Sequence, residues 1–235
     1  MAQHFKIITP VYNAQNWITN CIDSSKNQEY TDFEQIIVDD NSLDATVEIA
    51  RSAIGEDKRF RLICNEERIG VPLNHKKGVE ESKADPEDVI VHLDGDDWFV
   101  ATTSLGKVAE VYERTDCWLT YGSYTSTTGD QCIAREYKGH PRQAVIDGWP
   151  FSHLRTFKRH LWDLLKEEDF KDREGNFYTT AADVVIFVPI LEKIGYERVE
   201  FISEPLIVYN LSHINNEHKQ NLSEQVRTAL DVIQK

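Results

Sequence analysis

No apolar run in this 235-residue chain approaches the roughly 18 residues that a membrane-spanning helix requires. The start is equally bare: Met1 leads directly into Phe5-Lys6-Ile7-Ile8, a stretch too short for the apolar core of a secretion signal. Cysteine is scarce, and Cys21, Cys64, Cys117 and Cys132 make no C-x-x-C pair, which excludes a zinc ribbon and a disulfide framework. Basic charge is also short, with 26 Lys and Arg against 40 Asp and Glu and a formal net charge of −14. That balance argues against nucleic acid or an anionic membrane as partner and otherwise serves solubility. These absences set the expectation of a cytoplasmic protein with reduced thiols, no transmembrane segment and no nucleic-acid partner. Repeats, low-complexity tracts and linkers are missing too, so residues 1–235 are expected to form a single domain around one substantial core.

What is there is alternation. Short β-rich runs at Phe5–Thr9, Phe33–Val38, Phe60–Cys64 and Val89–Leu93 are separated by helical patterns near Asn16–Ser25, Ala45–Ile54 and Leu73–Lys83. Such alternation predicts an α/β fold with a mainly parallel central sheet flanked by helices. Ligands of open parallel sheets gather beyond the carboxyl ends of the strands. The most unusual polar clusters fall there: Thr9-Pro10-Val11-Tyr12-Asn13, Asp39-Asp40-Asn41-Ser42 and Asp94-Gly95-Asp96-Asp97. Adjacent parallel strands would bring all of them to one crevice. The second half is less regular, with a strand at Cys117–Tyr121, helices near Lys158–Lys166, Asp183–Ile194 and Ser223–Ile233, and a late strand at Val199–Ile202 or Leu206–Tyr209.

The acidic cluster closing Val89–Leu93 carries the most chemistry. Crowded carboxylates repel one another unless a cation offsets their charge. Hard oxygen ligands at this spacing suit magnesium or manganese, metals that commonly share their coordination with substrate phosphates. Asp-Gly-Asp-Asp also has the composition of a solvated turn. The shared crevice favours the metal.

The segments Thr9–Asn13, Ile36–Thr46 and Leu93–Trp98 resemble, in order and spacing, the N-terminal signatures of family 2 glycosyltransferases with the GT-A fold. The resemblance extends to Ala182-Asp183 ahead of an apolar helix and to Pro205–Asn210. It implies a metal-dependent, inverting transferase that moves a sugar from a nucleoside diphosphate donor, a UDP-sugar by the base-contact residues, to a carbohydrate or other hydroxyl acceptor in glycan biosynthesis. Residues up to about 115 would form the donor half and those from about 116 the acceptor half.

By the same resemblance Pro10 and Tyr12 lie against the nucleotide and Asp40 accepts a hydrogen bond from a base imide. Asp40, Asn41 or Ser42 could instead cap the following helix. Asp94 serves the ribose or metal shell, Asp96 coordinates the metal directly, Asp97 could substitute for either, and His213 or His218 could add a late contact. Lys76 and Lys77 occupy the segment that approaches the phosphates, although Leu73-Asn74 replaces the Arg-Asn pair of many relatives, with Arg68 as a substitute. Asp183 would be the general base; Ala182 stands where relatives often carry Glu. His153 and Arg155, behind Trp149-Pro150-Phe151, fall in the acceptor-side segment, where Trp149 and Trp162 offer either sugar-stacking faces or core. Two other readings stay open. A non-catalytic nucleotide-sugar or glycan-binding module could keep the fold without the reaction. A nucleotidyltransferase lacks a Gly-rich basic loop for its triphosphate.

Overall fold

The computed structural model describes residues 3–129, 132, 134–212 and 222–235. Its first half follows the expected alternation: β1 (Phe5–Val11), α1 (Ile18–Lys26), β2 (Phe33–Asp39), α2 (Thr46–Ile54), β3 (Phe60–Cys64), α3 (Val71–Ser82) and β4 (Val89–His92). The second half contains β5 (Trp98–Phe99), α4 (Ser104–Thr115), β6 (Leu119–Ser126), α5 (Pro141–Ile146), β7 (Arg155–Lys158), α6 (Ala182–Ile194), β8 (Val199–Tyr209) and α7 (Leu222–Gln234).

All the strands join one eight-stranded sheet in the order β3-β2-β1-β4-β7-β6-β8-β5. Pairing is parallel from β3 to β4 and between β6 and β8, and antiparallel on both edges of β7 and between β5 and β8. The parallel sheet read from the sequence is therefore the β3-β2-β1-β4 part, built by the first half of the chain, and the whole sheet is mixed. The helix expected near Lys158–Lys166 is a 3-10 helix over Arg159–Leu164, and only its first residue, Lys158, belongs to β7. The two late strand candidates are one strand, β8, whose register against β6 shifts near Pro205, a residue with no N–H to give the ladder.

Alternation of side chains builds two apolar layers. Phe5, Ile7, Val89 and Val91 face Ile18 and Ile22 of α1 and Leu105 and Val108 of α4. Ile8, Ile36, Val38 and Ile90 face the other way, into a cluster with Val79 of α3 and Val185, Ile186 and Phe187 of α6. Burying one such side chain contributes about 1.5–3 kcal/mol. Helix α6 is buried from Val184 to Leu191, so its N-terminus is fixed by packing all round it.

The parallel register aligns Val11 with Asp39 and Ile8 with His92. Backbone bonds then knit the loops beyond those ends: Asp40 N–H to the Val11 carbonyl at 2.8 Å, Asn65 N–H to Asp39 at 2.9 Å and Gly95 N–H to Pro10 at 3.0 Å. These bonds hold the three polar clusters side by side beyond the strand ends.

Candidate nucleotide and metal site

Asp40 is almost wholly buried and acts first as a loop anchor. Its carboxylate accepts from Ile69 N–H at 2.8 Å, Gly70 N–H at 3.2 Å and Asn65 Nδ2 at 3.2 Å, and Arg68 Nε lies 3.6 Å away. The Arg68 guanidinium in turn covers the half-buried Tyr12 ring, 3.8 Å from its centre. Asp40, Asn41 and Ser42 do not cap α2, which begins only at Thr46, where Asp44 Oδ1 accepts the Thr46 N–H at 2.9 Å. Asp39 shapes the turn by accepting the Ser42 N–H at 3.0 Å.

Lys77 points inward to Asn65 Oδ1 at 2.8 Å, and Asn65 Nδ2 also reaches Asn74 Oδ1 at 2.7 Å. Lys77 thus joins the Asp40 network, whereas Lys76 pairs with Glu80 on the outer face of α3. Gly70 holds φ +87°, and a Cβ there would lie 2.5 Å from the Thr179 backbone. Only glycine lets this loop touch the strap that leads into α6.

Pro10 contributes a carbonyl rather than a side-chain contact, seating Gly95 at the end of β1. A Cβ on Gly95 would approach the Val11 side chain to 2.7 Å, so glycine is what lets the acidic loop lie there. Asp97 is fully buried. Its Oδ1 accepts the Asn210 N–H at 2.8 Å, while Oδ2 has no hydrogen-bond partner among the described residues. Burial, and then the charges of Asp96 and Asp94, push the Asp97 carboxyl well above the usual carboxylate range. One ligand atom each from Asp94, Asp97 and His153 lie within 4.8 Å of one another. A buried partnerless oxygen inside a carboxylate and imidazole set fits manganese or magnesium. Asp96 is half exposed beside this group. His213 and His218 lie outside the described residues.

Imidazoles bracket Asp94: His75 Nε2 stands 4.0 Å from Oδ1 and His153 Nε2 3.8 Å from Oδ2. Burial opposes ionisation of Asp94, yet His153, His75 and Arg155 together hold its carboxyl below the ordinary range. His75 stacks on His92 with ring centres 3.8 Å apart. Burial lowers both, His75 to about 4 and His92 well below its usual value. This histidine pair went unremarked in the sequence, though His92 is a polar interruption of the strand Val89–Leu93 and His75 a titratable residue on the inner face of α3.

Asp183 opens α6 with its side chain 28% exposed, accepting the Val184 N–H at 2.9 Å and lying 3.7 Å from Arg155 Nη1. It is both a helix-terminal charge and an accessible carboxylate. Trp162 stacks on Phe157 and Trp149 packs edge-on against Phe151, both partly buried against the core.

Solved structures share this architecture. S. aureus TarS 1-349, in complex with UDP-GlcNAc, matches 93% of this chain and 61% of its own at a TM-score of 0.69 and 17% identity. Glucosyl-3-phosphoglycerate synthase from Mycobacterium tuberculosis, in complex with Mn2+, UDP and glucosyl-3-phosphoglycerate, matches 99% of this chain and 80% of its own at 0.65 and 14%. The architecture is the GT-A fold, an α/β class with a mixed, helix-flanked sheet. Sequence narrows the class: residues 6–192 match the model of Glycosyl transferase family 2, and the chain belongs to that family. A putative glycosyltransferase, EpsH of Bacillus subtilis (strain 168), is 30% identical over 155 residues, which are 64% of this chain and 44% of EpsH. The chain therefore matches under half the length of that relative.

Proposed function

We propose that the protein is a metal-dependent, inverting glycosyltransferase taking its sugar from a nucleoside diphosphate donor, of the uridine type, and passing it to a hydroxyl acceptor. The observation that carries this reading is the partnerless Oδ2 of Asp97 beside Asp94 and His153, at the same strand ends as Tyr12 and Asp40. The nucleotides named for the similar structures, the UDP-GlcNAc of one and the UDP of the other, agree with it.

Asp94, Asp97 and His153, with Asp96 at the margin, would hold a divalent metal, whose charge stabilises the departing diphosphate. The remaining work falls to the chain. Tyr12 gives the base an aromatic face, and Asp40 gives an imide N–H an acceptor in place of its long Arg68 contact. Lys77 and Asn65 keep that niche in shape. Asp183 takes the proton of the acceptor hydroxyl as its oxygen attacks the anomeric carbon opposite the diphosphate, and one such displacement inverts the centre.

Calorimetric titration with UDP, GDP, CDP and dTDP, each with manganese and with chelator, tests the reading. Metal-dependent selection of one diphosphate is the expected result. Absence of binding to any of them would overturn the donor-site reading and leave a glycan-binding module as the better account.

A further inference from the structure

Arg155 is 7% exposed, and its guanidinium spans two features that the proposed reaction uses separately. Nη2 lies 2.9 Å from His153 Nε2, and Nη1 lies 3.7 Å from Asp183 Oδ2 and 3.4 Å from the Phe151 carbonyl. A guanidinium has donors only, so Nε2 is the accepting nitrogen and the proton sits on Nδ1. The Nε2 lone pair then stands 3.8 Å from Asp94 Oδ2, in a group completed by the Asp97 carboxylate. Two carboxyl oxygens, one of them Asp97 Oδ2 with no hydrogen-bond partner among the described residues, and one imidazole nitrogen converge there, a donor set that suits a divalent cation.

Resting on the metal-dependent reading above, we propose that His153 is the nitrogen ligand of that metal and that Arg155 is a positioning residue tying metal loading to Asp183. The metal and Arg155 compete for the one Nε2 lone pair. Loading the site draws His153 off Nη2, and because the guanidinium is a rigid plane, a turn of Nη2 carries Nη1 with it. Asp183 thereby senses the metal through side chains alone. The base is set against the acceptor hydroxyl once the donor site is filled, which suppresses loss of the sugar to water.

Pulsed electron paramagnetic resonance of manganese, bound with UDP to protein made with 15N-histidine, tests the ligand. Wild-type protein should show 15N coupling, and His153→Gln should lose it. No 15N coupling in the wild type, or coupling that persists in H153Q, overturns the assignment. If manganese fails to bind in the presence of UDP, the metal-dependent reading falls and this proposal with it. The link to Arg155 is read from a double-mutant cycle on manganese affinity. Arg155→Gln removes a competitor for Nε2 and a positive charge, but in the H153Q background only the charge remains to matter. R155Q should therefore tighten manganese at least about threefold more with His153 present than without it; equal effects in the two backgrounds overturn the coupling.

Discussion

The Arg68 guanidinium lies over the Tyr12 ring at 3.8 Å while its Nε stays 3.6 Å from the Asp40 carboxylate, so one flexible cation covers both groups assigned to the base. A base entering this niche either lies against Tyr12 with Arg68 turned aside or is sandwiched between them. In both cases the ring supplies stacking. Tyr12→Ala should weaken UDP by about 1–3 kcal/mol, the usual worth of an aromatic platform, and Tyr12→Phe should leave it nearly unchanged. Calorimetry checks this, and equal affinity in Y12A would remove the ring from the donor site.

Asp183→Asn keeps the shape of the α6 terminus and an acceptor for the Val184 N–H but cannot take a proton. Transfer should slow by two or more orders of magnitude with UDP affinity preserved. Full turnover in this variant would assign the base elsewhere.

The acidic loop can be dissected by what each oxygen touches. Asp97→Asn retains an acceptor for the Asn210 N–H and loses charge, so the fold should survive while manganese no longer strengthens UDP binding. Asp97→Ala should in addition cost about 1–3 kcal/mol of stability, measured by urea unfolding, because that N–H is left buried without a partner. Asp96→Ala should abolish metal-dependent binding at little cost in stability. Unaltered manganese dependence in D96A would confine the metal to Asp94, Asp97 and His153.

Gly70→Ala combines a positive φ with a backbone clash against Thr179. At least about 2 kcal/mol of stability should be lost. Since Gly70 and Ile69 both donate to Asp40, UDP affinity should fall with it. Stability and binding equal to wild type would show that the loop can move off the strap without cost.

Acid should undo the core before the surface. His75 titrates near 6.5 when unfolded and, through burial, at about 4 in the fold. Between those values the unfolded chain binds more protons, so stability is full above pH 6.5 and lost as the pH falls toward 4. The loss from this group between pH 7 and 5 should be about 2 kcal/mol. Urea unfolding of His75→Gln should show a correspondingly smaller difference between the two pH values. An identical difference would mean that His75 does not titrate in this way.

The first half of the chain was legible in the sequence because its rules are local. Apolar runs of strand length, helical spacing between them and polar residues at each carboxyl end suffice to bring Tyr12, Asp40 and Asp94 to one edge of a parallel sheet. The second half depends on long-range pairing that leaves little local mark. Arg155-Thr156-Phe157-Lys158 reads equally well as a helix start, and it is a strand because β4 and β6 both offer it an antiparallel edge. Helix α4 was missed although its apolar face, Leu105, Val108, Ala109 and Tyr112, has helical spacing. Asp97 and His153 illustrate the same limit. Asp97 could be read as a stand-in for its neighbours and His153 as an acceptor-side contact, but the burial, the spare oxygen and the approach of His153 to Asp94 exist only once β4, β7 and β8 are side by side.

Strand β7 has a further consequence for any attempt to isolate the donor half. It covers one whole edge of β4, pairing Val89 with Lys158 and His92 with Arg155, and it joins that edge to β6 on its far side. A fragment ending after α4 would keep β4 paired with β1 but leave those amides and carbonyls of Val89-Ile90-Val91-His92 that face β7 bare on an apolar strand, the kind of template on which other chains add. Such a fragment should precipitate or pair with itself rather than bind nucleotide as a small independent module.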